Sequence, residues 1–295
     1  MSWHSGFEHA LRADVPLREH TWYQLGGPAR WFCEPRDADE LAAMLRRCRD
    51  AGAPWRVLGC GANVLVPDAG FDGAVFRLSN ANFAAVREDG DRVTVGAGAD
   101  LPKFIRQMIQ RGLVGLERLA GIPATVGGAL RMNAGGRYGD LGESVREITL
   151  VTADGEVERR AAAAIGFRYR GVALGPGVIL SATLELAQGD PRAALERHKA
   201  IWREKYEQQP PVSSRSTGCV FKNPPGHAAG RLIDEAGLKG TRVGGVVISD
   251  LHANFMVAHN GATAADVLEL IHLAQERVWG RFAVRLETEI DIWSA

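Results

Sequence analysis

The sequence predicts an α+β fold, on three observations. Helical and strand patterns mix along the chain without the regular strand–helix–strand alternation of a parallel α/β sheet. The 295 residues call for two or three domains rather than one. Hydrophobic residues make up 46% and charged residues 24%, the balance of a chain that buries a sizeable core.

The elements follow in order. Asp37 is placed to cap a helix whose apolar face is Leu41, Met44, Leu45 and Cys48, with Gly52 as its stop. Short apolar runs at 56–58, 64–67 and 74–78 read as strands joined by glycine turns. Residues 92–97 alternate as a strand. Asp100 then caps a second helix with Leu101, Phe104, Ile105, Met108 and Ile109 on one face and Gly112 at its end. Strands are expected at 145–152 and 156–159, around the Asp154-Gly155 turn, and at 178–186. A charged helix covers 191–208, and Pro210-Pro211 breaks the chain after it. Thr263 caps a last long helix that turns Val267, Leu270, Ile271, Ala274 and Val278 inward. The tail, 283–293, reads as a strand.

Composition removes several function classes. Lys plus Arg and Asp plus Glu are both 35, so no global basic field awaits nucleic acid. The first eight residues have no apolar segment of a signal peptide, and no uncharged run nears the ~18 residues that span a bilayer. The four cysteines, Cys33, Cys48, Cys60 and Cys219, form no CxxC pair. That argues against a metal site or a disulfide framework and fits a reducing cytoplasm.

Two segments have the make-up of diphosphate-holding loops. One is Gly59-Cys60-Gly61-Ala62-Asn63-Val64, between two short strands. The other runs from Gly121-Ile122-Pro123 through Thr125, Gly127 and Gly128 to Asn133-Ala134-Gly135. Glycines let a backbone turn with positive φ and bring N–H groups close to an anion. Neither segment is a dinucleotide fingerprint, since Val64 stands where the third glycine would be, and no Gly-Lys-Ser/Thr occurs. The plain alternative is tight turns in a chain with 35 glycines. Two such segments, each with an Asn or Thr able to hydrogen-bond, tilt toward a nucleotide cofactor.

These segments resemble the two FAD-binding stretches of the UDP-N-acetylenolpyruvoylglucosamine reductase family, within the flavoproteins related to vanillyl-alcohol oxidase. His20-Thr21-Trp22 followed by Gly26-Gly27-Pro28-Ala29 is similar to the family's opening motif, and the resemblance spans about residues 16–292. It implies a two-lobed FAD-binding region of the vanillyl-alcohol-oxidase type (lobes 1–78 and 79–190) plus a smaller α+β substrate domain at 191–295, whose final strand returns toward the flavin. FAD would be held without a covalent bond by the residues of the two segments named above. There are departures: Cys60 and Ala62 replace a commoner Gly and Ser, and Ala124 a commoner Gly. All three are small, and the hydroxyl missing at Ala62 costs one hydrogen bond, about 0.5–1.5 kcal/mol.

The same resemblance implies the catalytic set. Arg170 stands in Phe167-Arg168-Tyr169-Arg170, Cys219 in Gly218-Cys219-Val220-Phe221-Lys222-Asn223-Pro224, and Glu289 in Leu286-Glu287-Thr288-Glu289. The family reduces an enol ether carried on UDP-N-acetylglucosamine. Electrons pass from NADPH to FAD, hydride goes from flavin N5 to C3, and a proton goes to C2. Arg170 would meet the charge developing on the carboxylate, because its guanidinium is always charged and fork-shaped. Glu289 would face the same carboxylate in protonated form, and Cys219 would give the proton. Most members carry Ser at the Cys219 position and Pro at the Thr288 position. A thiol, with a reference pKa of about 8.5, is the stronger acid and must stay protonated to act. Tyr138, Lys222, Asn223 and Asn254 are the expected substrate contacts. The short stretch between Tyr169 and Cys219 leaves little room for the extra loop of the longer, first-type enzymes and points to the second type. The expected partners are the UDP-sugar and NADPH, with no nucleic acid, membrane or metal, the protein acting as a cytoplasmic monomer. Two alternatives stay open: another FAD oxidase of the superfamily, or a non-catalytic UDP-sugar or flavin-binding relative.

Overall fold

In the computed structural model, which describes residues 2–294, the capping signals act where the sequence puts them. The Asp37 carboxylate accepts from the Glu40 amide at 2.9 Å and starts helix α1, Ala38–Asp50. Asp100 does the same for α2, Leu101–Gln110, accepting from Lys103 N at 2.8 Å. Thr125 caps the short α3, Val126–Arg131. Helix α4 spans Pro191–Gln208, α5 spans Ala229–Glu235, and α6 spans Ala264–Phe282 behind the Thr263 cap.

The chain forms two compact units. The first holds the residues as far as Ala13, then Trp31–Cys60 and Gly73–Arg203. Its main sheet is antiparallel throughout, in the order Val157–Ala161, Val145–Thr152, Gly177–Glu185, Arg92–Gly96, Val86–Asp89. Leu101, Phe104, Ile105, Met108 and Ile109 of α2 press on the inner face of that sheet, on Val93, Val95, Ile148, Leu150 and Leu184. A separate core gathers Leu41, Met44, Leu45 and Cys48 of α1 with Cys33, Ala74 and Phe76. It lies on a four-stranded sheet in which Trp55–Val57 runs parallel to Phe71–Phe76.

The second unit holds Asp14–Arg30, Gly61–Asp72 and the chain from Glu204 onward. The sequence groups the first two of these segments with the opening lobe. Here Tyr23, Leu25 and Leu65 are buried in one core with Leu232 and Ile233 of α5 and Val267, Leu270, Ile271, Ala274 and Val278 of α6. The carboxylate of Asp68 receives the amides of Ala264 and Ala265, at 2.9 and 3.1 Å, and so caps α6 a second time. The chain therefore crosses from one unit to the other inside α4, before Pro210.

The tail corrects one expectation. Ala283 takes a left-handed φ of 53° to close α6, and regular strand is limited to Asp291–Ile292. That pair runs parallel to Val64–Leu65. Upstream of it, Thr288 forms a single antiparallel bridge with Phe221.

Candidate active site and flavin-binding segments

In the first unit, the start of the first glycine segment meets the second segment. A Cβ on Gly59 would stand 2.7 Å from Thr125 Oγ1, so only glycine lets the two loops approach this closely. Beside it, the Cys60 thiol donates to Pro123 O at 3.7 Å. Cys60 thus links the two segments, a contact that the commoner glycine could not make. Gly59, Cys60 and Gly121 to Thr125 are all half-buried. Gly127 backs onto Ala97, where a Cβ would come within 2.8 Å of the alanine methyl. Gly128 N donates to the Thr125 hydroxyl at 3.2 Å, and Ala134 is buried.

Asn133 departs from its expected role. Its carboxamide is 5% exposed, donates to Arg168 O at 3.1 Å and accepts from Gly142 N at 2.9 Å. The side chain therefore braces the flavin segment against the hairpin of Phe167–Arg168 and Gly171–Val172, and its own φ of 42° is left-handed. At the end of that hairpin Arg170 also takes a left-handed φ, 53°. Its guanidinium donates to Gly135 O at 2.8 Å and to Asp140 Oδ1 at 3.3 Å, and stands 4.8 Å from the Tyr169 ring centroid. The structure thus brings Arg170 against the second flavin segment. Asp140, which orients Arg170, was missed. Its signal was present: Asp140 and Glu143 form a capping box, so an acid at that site was due. Tyr138 is exposed, with its ring under the Arg137 guanidinium.

In the second unit, the rest of the first segment seats on the opening motif. A Cβ on Gly61, whose φ is +70°, would meet His20 O at 2.1 Å, and Gly61 O accepts from Trp22 N at 3.0 Å. Ala62 and Val64 are half-buried. Asn63 reaches away from the loop and donates to Glu289 O at 3.1 Å. Next to it, Asp291 N donates to Asn63 O at 2.9 Å.

Just before the Asp291–Ile292 strand, Glu289 lies on a segment that pairs with the residues after Cys219. Glu289 N donates to Val220 O at 2.7 Å, and Lys222 N donates to Glu287 O at 2.9 Å, either side of the Phe221–Thr288 bridge. Cys219 and Glu289 thereby lie on neighbouring antiparallel segments, one residue out of register, and both are half-buried. All four cysteines are thiols. The Lys222 ammonium pairs with Glu287, the first acid of the Leu-Glu-Thr-Glu run. Asn223 accepts from Ala229 N at 2.9 Å at the entry to α5. Asn254 is 2% exposed and both ends of its amide are engaged by Phe221, which leaves it inside the protein rather than on a ligand surface.

Residues 209–293 match the family model "UDP-N-acetylenolpyruvoylglucosamine reductase, C-terminal domain", and residues 29–160 match the model "FAD binding domain". A UDP-N-acetylenolpyruvoylglucosamine reductase of Anaeromyxobacter dehalogenans is 44% identical, over 99% of this chain and 89% of its own length. The chain belongs to the UDP-N-acetylenolpyruvoylglucosamine reductase family. A relative of Symbiobacterium thermophilum, UDP-N-acetylenolpyruvoylglucosamine reductase 2, is 43% identical over 96% of this chain and 92% of its own. The crystal structure of the reductase of Thermus caldophilus superposes with a TM-score of 0.83 at 38% identity, covering 96% of this chain and all of that one. The α+β fold with an FAD-binding region is therefore that of the family, and FAD is the cofactor. The two glycine segments, half-buried and pressed together where a Cβ would not fit, suit its diphosphate. Among the described residues, no helix is long and apolar enough to cross a membrane.

Proposed function

We propose that the chain reduces the enolpyruvyl ether of UDP-N-acetylglucosamine to UDP-N-acetylmuramate, with NADPH as electron source, for peptidoglycan precursor synthesis. The observation that carries this reading is the antiparallel pairing of residues 220–222 with 287–289. It ties the segment that follows Cys219 to the segment that carries Glu289. FAD, when bound, supplies the hydride for C3 of the enolpyruvyl group. The residues proposed to hold it are Gly59 to Val64 and Gly121 to Gly135, at Asn133 through its backbone alone, in lobes divided near residue 78.

Each residue has a task set by its chemistry. Arg170 receives the negative charge that spreads into the substrate carboxylate. A left-handed backbone at a non-glycine residue costs about 1–3 kcal/mol, and Asp140 and Gly135 hold Arg170 in that shape before substrate arrives. Such preorganised donors stabilise developing charge best. Glu289 keeps its proton against the same carboxylate. Cys219 gives its proton to C2, is left as thiolate, and takes a proton back from water. Lys222, Asn223 and Tyr138 line the path of the UDP moiety. The protein works as a cytoplasmic monomer.

The test is NADPH oxidation by the purified yellow protein, with and without the UDP-sugar enolpyruvate. Rapid oxidation only in its presence is expected. Cys219→Ala should abolish turnover by about 100-fold or more while NADPH still bleaches the flavin. Oxidation that ignores the enolpyruvate, with peroxide appearing, would replace the reading with an oxidase. No oxidation at all would leave a binding protein.

A further inference from the structure

Asn254 has an unusual set of partners for a polar side chain placed among substrate contacts by its motif. It is 2% exposed, and both ends of its carboxamide bond to the backbone of one residue, Phe221. Its Oδ1 accepts from Phe221 N at 2.9 Å and its Nδ2 donates to Phe221 O at 2.8 Å. Its backbone carbonyl accepts from Val220 N at 2.8 Å. The carboxamide thus stands in for a strand on the edge of residues 220–221 that the 287–289 strand leaves open. On the opposite edge lie the Glu289 N–H to Val220 O bond and the Thr288 bridge. Val220 and Phe221 are clamped from both sides, and Cys219 is the next residue.

We propose that Asn254 is a positioning residue of the reaction, which fixes the Cys219 thiol relative to Glu289 through the backbone of Val220 and Phe221. The proposal rests on Cys219 being the proton donor. An amide can satisfy a neighbouring N–H and C=O at once, because it carries an acceptor and a donor side by side. Removing one partner of a buried pair leaves an unsatisfied group that costs more than the bond itself contributes. The strand then relaxes, and the thiol moves with it. The clamp has its own support. His252 Nδ1 accepts from Asn254 N at 3.2 Å, and Ser249 Oγ accepts the His252 amide at 3.3 Å.

Asn254→Asp separates positioning from substrate contact. As a carboxylate the new side chain accepts from Phe221 N but faces Phe221 O with no proton. As a carboxylic acid it donates there and rebuilds the clamp. The full flavoprotein should show kcat about tenfold or more below the parent at pH 8, with KM and flavin bleaching by NADPH within about twofold. The deficit relative to the parent should shrink toward pH 5.5. Asn254→Ser, which cannot bridge both groups, should lose kcat without that recovery. Alkylation of Cys219 by iodoacetamide, followed by peptide mass spectrometry, should change rate by about threefold or more at pH 8 in the aspartate variant. A loss confined to KM would make Asn254 a substrate contact and overturn the proposal, as would equal deficits for both variants at every pH. If the aspartate variant sheds FAD at pH 8, its pH 5.5 rate against that of the serine variant decides in the same way. Turnover surviving in Cys219→Ala would instead sink the role of Cys219, while the alkylation result would still report on the clamp.

Discussion

On the proposed role of Cys219 as proton donor, its thiol sets the upper pH limit of the reaction. The donor has to carry its proton at the start of each cycle, and a thiol surrenders it near pH 8.5 by reference values, several units before a hydroxyl does. Replacing Cys219 by Ser should therefore extend the alkaline limb of kcat/KM upward by about one unit or more, at some cost in maximal rate. A rate profile from pH 6 to 10 checks it, and coincident limbs for parent and variant would remove the thiol from the pH-determining step. Arg170, Cys219 and Glu289 could be proposed as catalytic from the sequence because they stand in spaced motifs. What those motifs could not separate was an asparagine that touches a ligand from one that holds a strand. Asn133 and Asn254 are chemically suited to either use. Only burial, with both ends of the amide paired to the backbone, distinguishes them.

Among the elements, helix α6 is the best anchored at its start. Thr263 and Asp266 close a capping box, and the Asp68 carboxylate adds two further hydrogen bonds at the positive end of the helix dipole. Asp68→Ala should destabilise the protein by about 0.5–2 kcal/mol, read as a lower urea midpoint. An unchanged midpoint would mean that Thr263 and Asp266 suffice alone. The box itself was readable from Thr263 and a helical apolar period, and so were α1 and α2, because caps and periodicity are local. Asp68 lies 196 residues before its partner Ala264, and no local rule connects them. The tail failed for a related reason. Its apolar residues suggested a strand of 11, but a strand needs a neighbour along its whole length. Here the backbone partners lie at 287–289, against 220–222, and at 291–293, against 63–65. Likewise the opening strand Leu11–Pro16 is mostly exposed, and its pattern gave no alternation to read.

For the molecule as a whole, buried ionisable groups bound the pH range of stability on both sides. Burial works to raise Glu117, but the Arg197 guanidinium and the Gly115 amide outweigh it and hold its carboxyl below the usual range. Glu40 is likewise held low against burial by Arg36 and His9. Carboxyls depressed in the folded state stabilise it above their unfolded pKa of about 4.3, and that stability is lost as pH falls through their folded values. Burial also lowers His252, so folding favours its neutral form, and loss begins earlier there, as pH falls below about 6.5. On the alkaline side, burial pushes the Tyr23 phenol up to about 12. A raised phenol gives stability that is whole below pH 10 and drains as pH climbs from there toward 12. Unfolding free energy should therefore fall in two steps on the acid side, and on the alkaline side as Tyr23 and the buried thiols Cys33 and Cys48, which burial also pushes up, lose their protons. Tyr23→Phe isolates the phenol's share. Tyr23 Oη and Thr217 Oγ1 are both buried without a hydrogen-bond partner, so removing the phenol oxygen takes away an unsatisfied group. The variant should match or exceed the parent at pH 7 and lose less stability between pH 9 and 11. A destabilised Tyr23→Phe at pH 7 would show instead that the hydroxyl is satisfied in solution, by a buried water shared with Thr217.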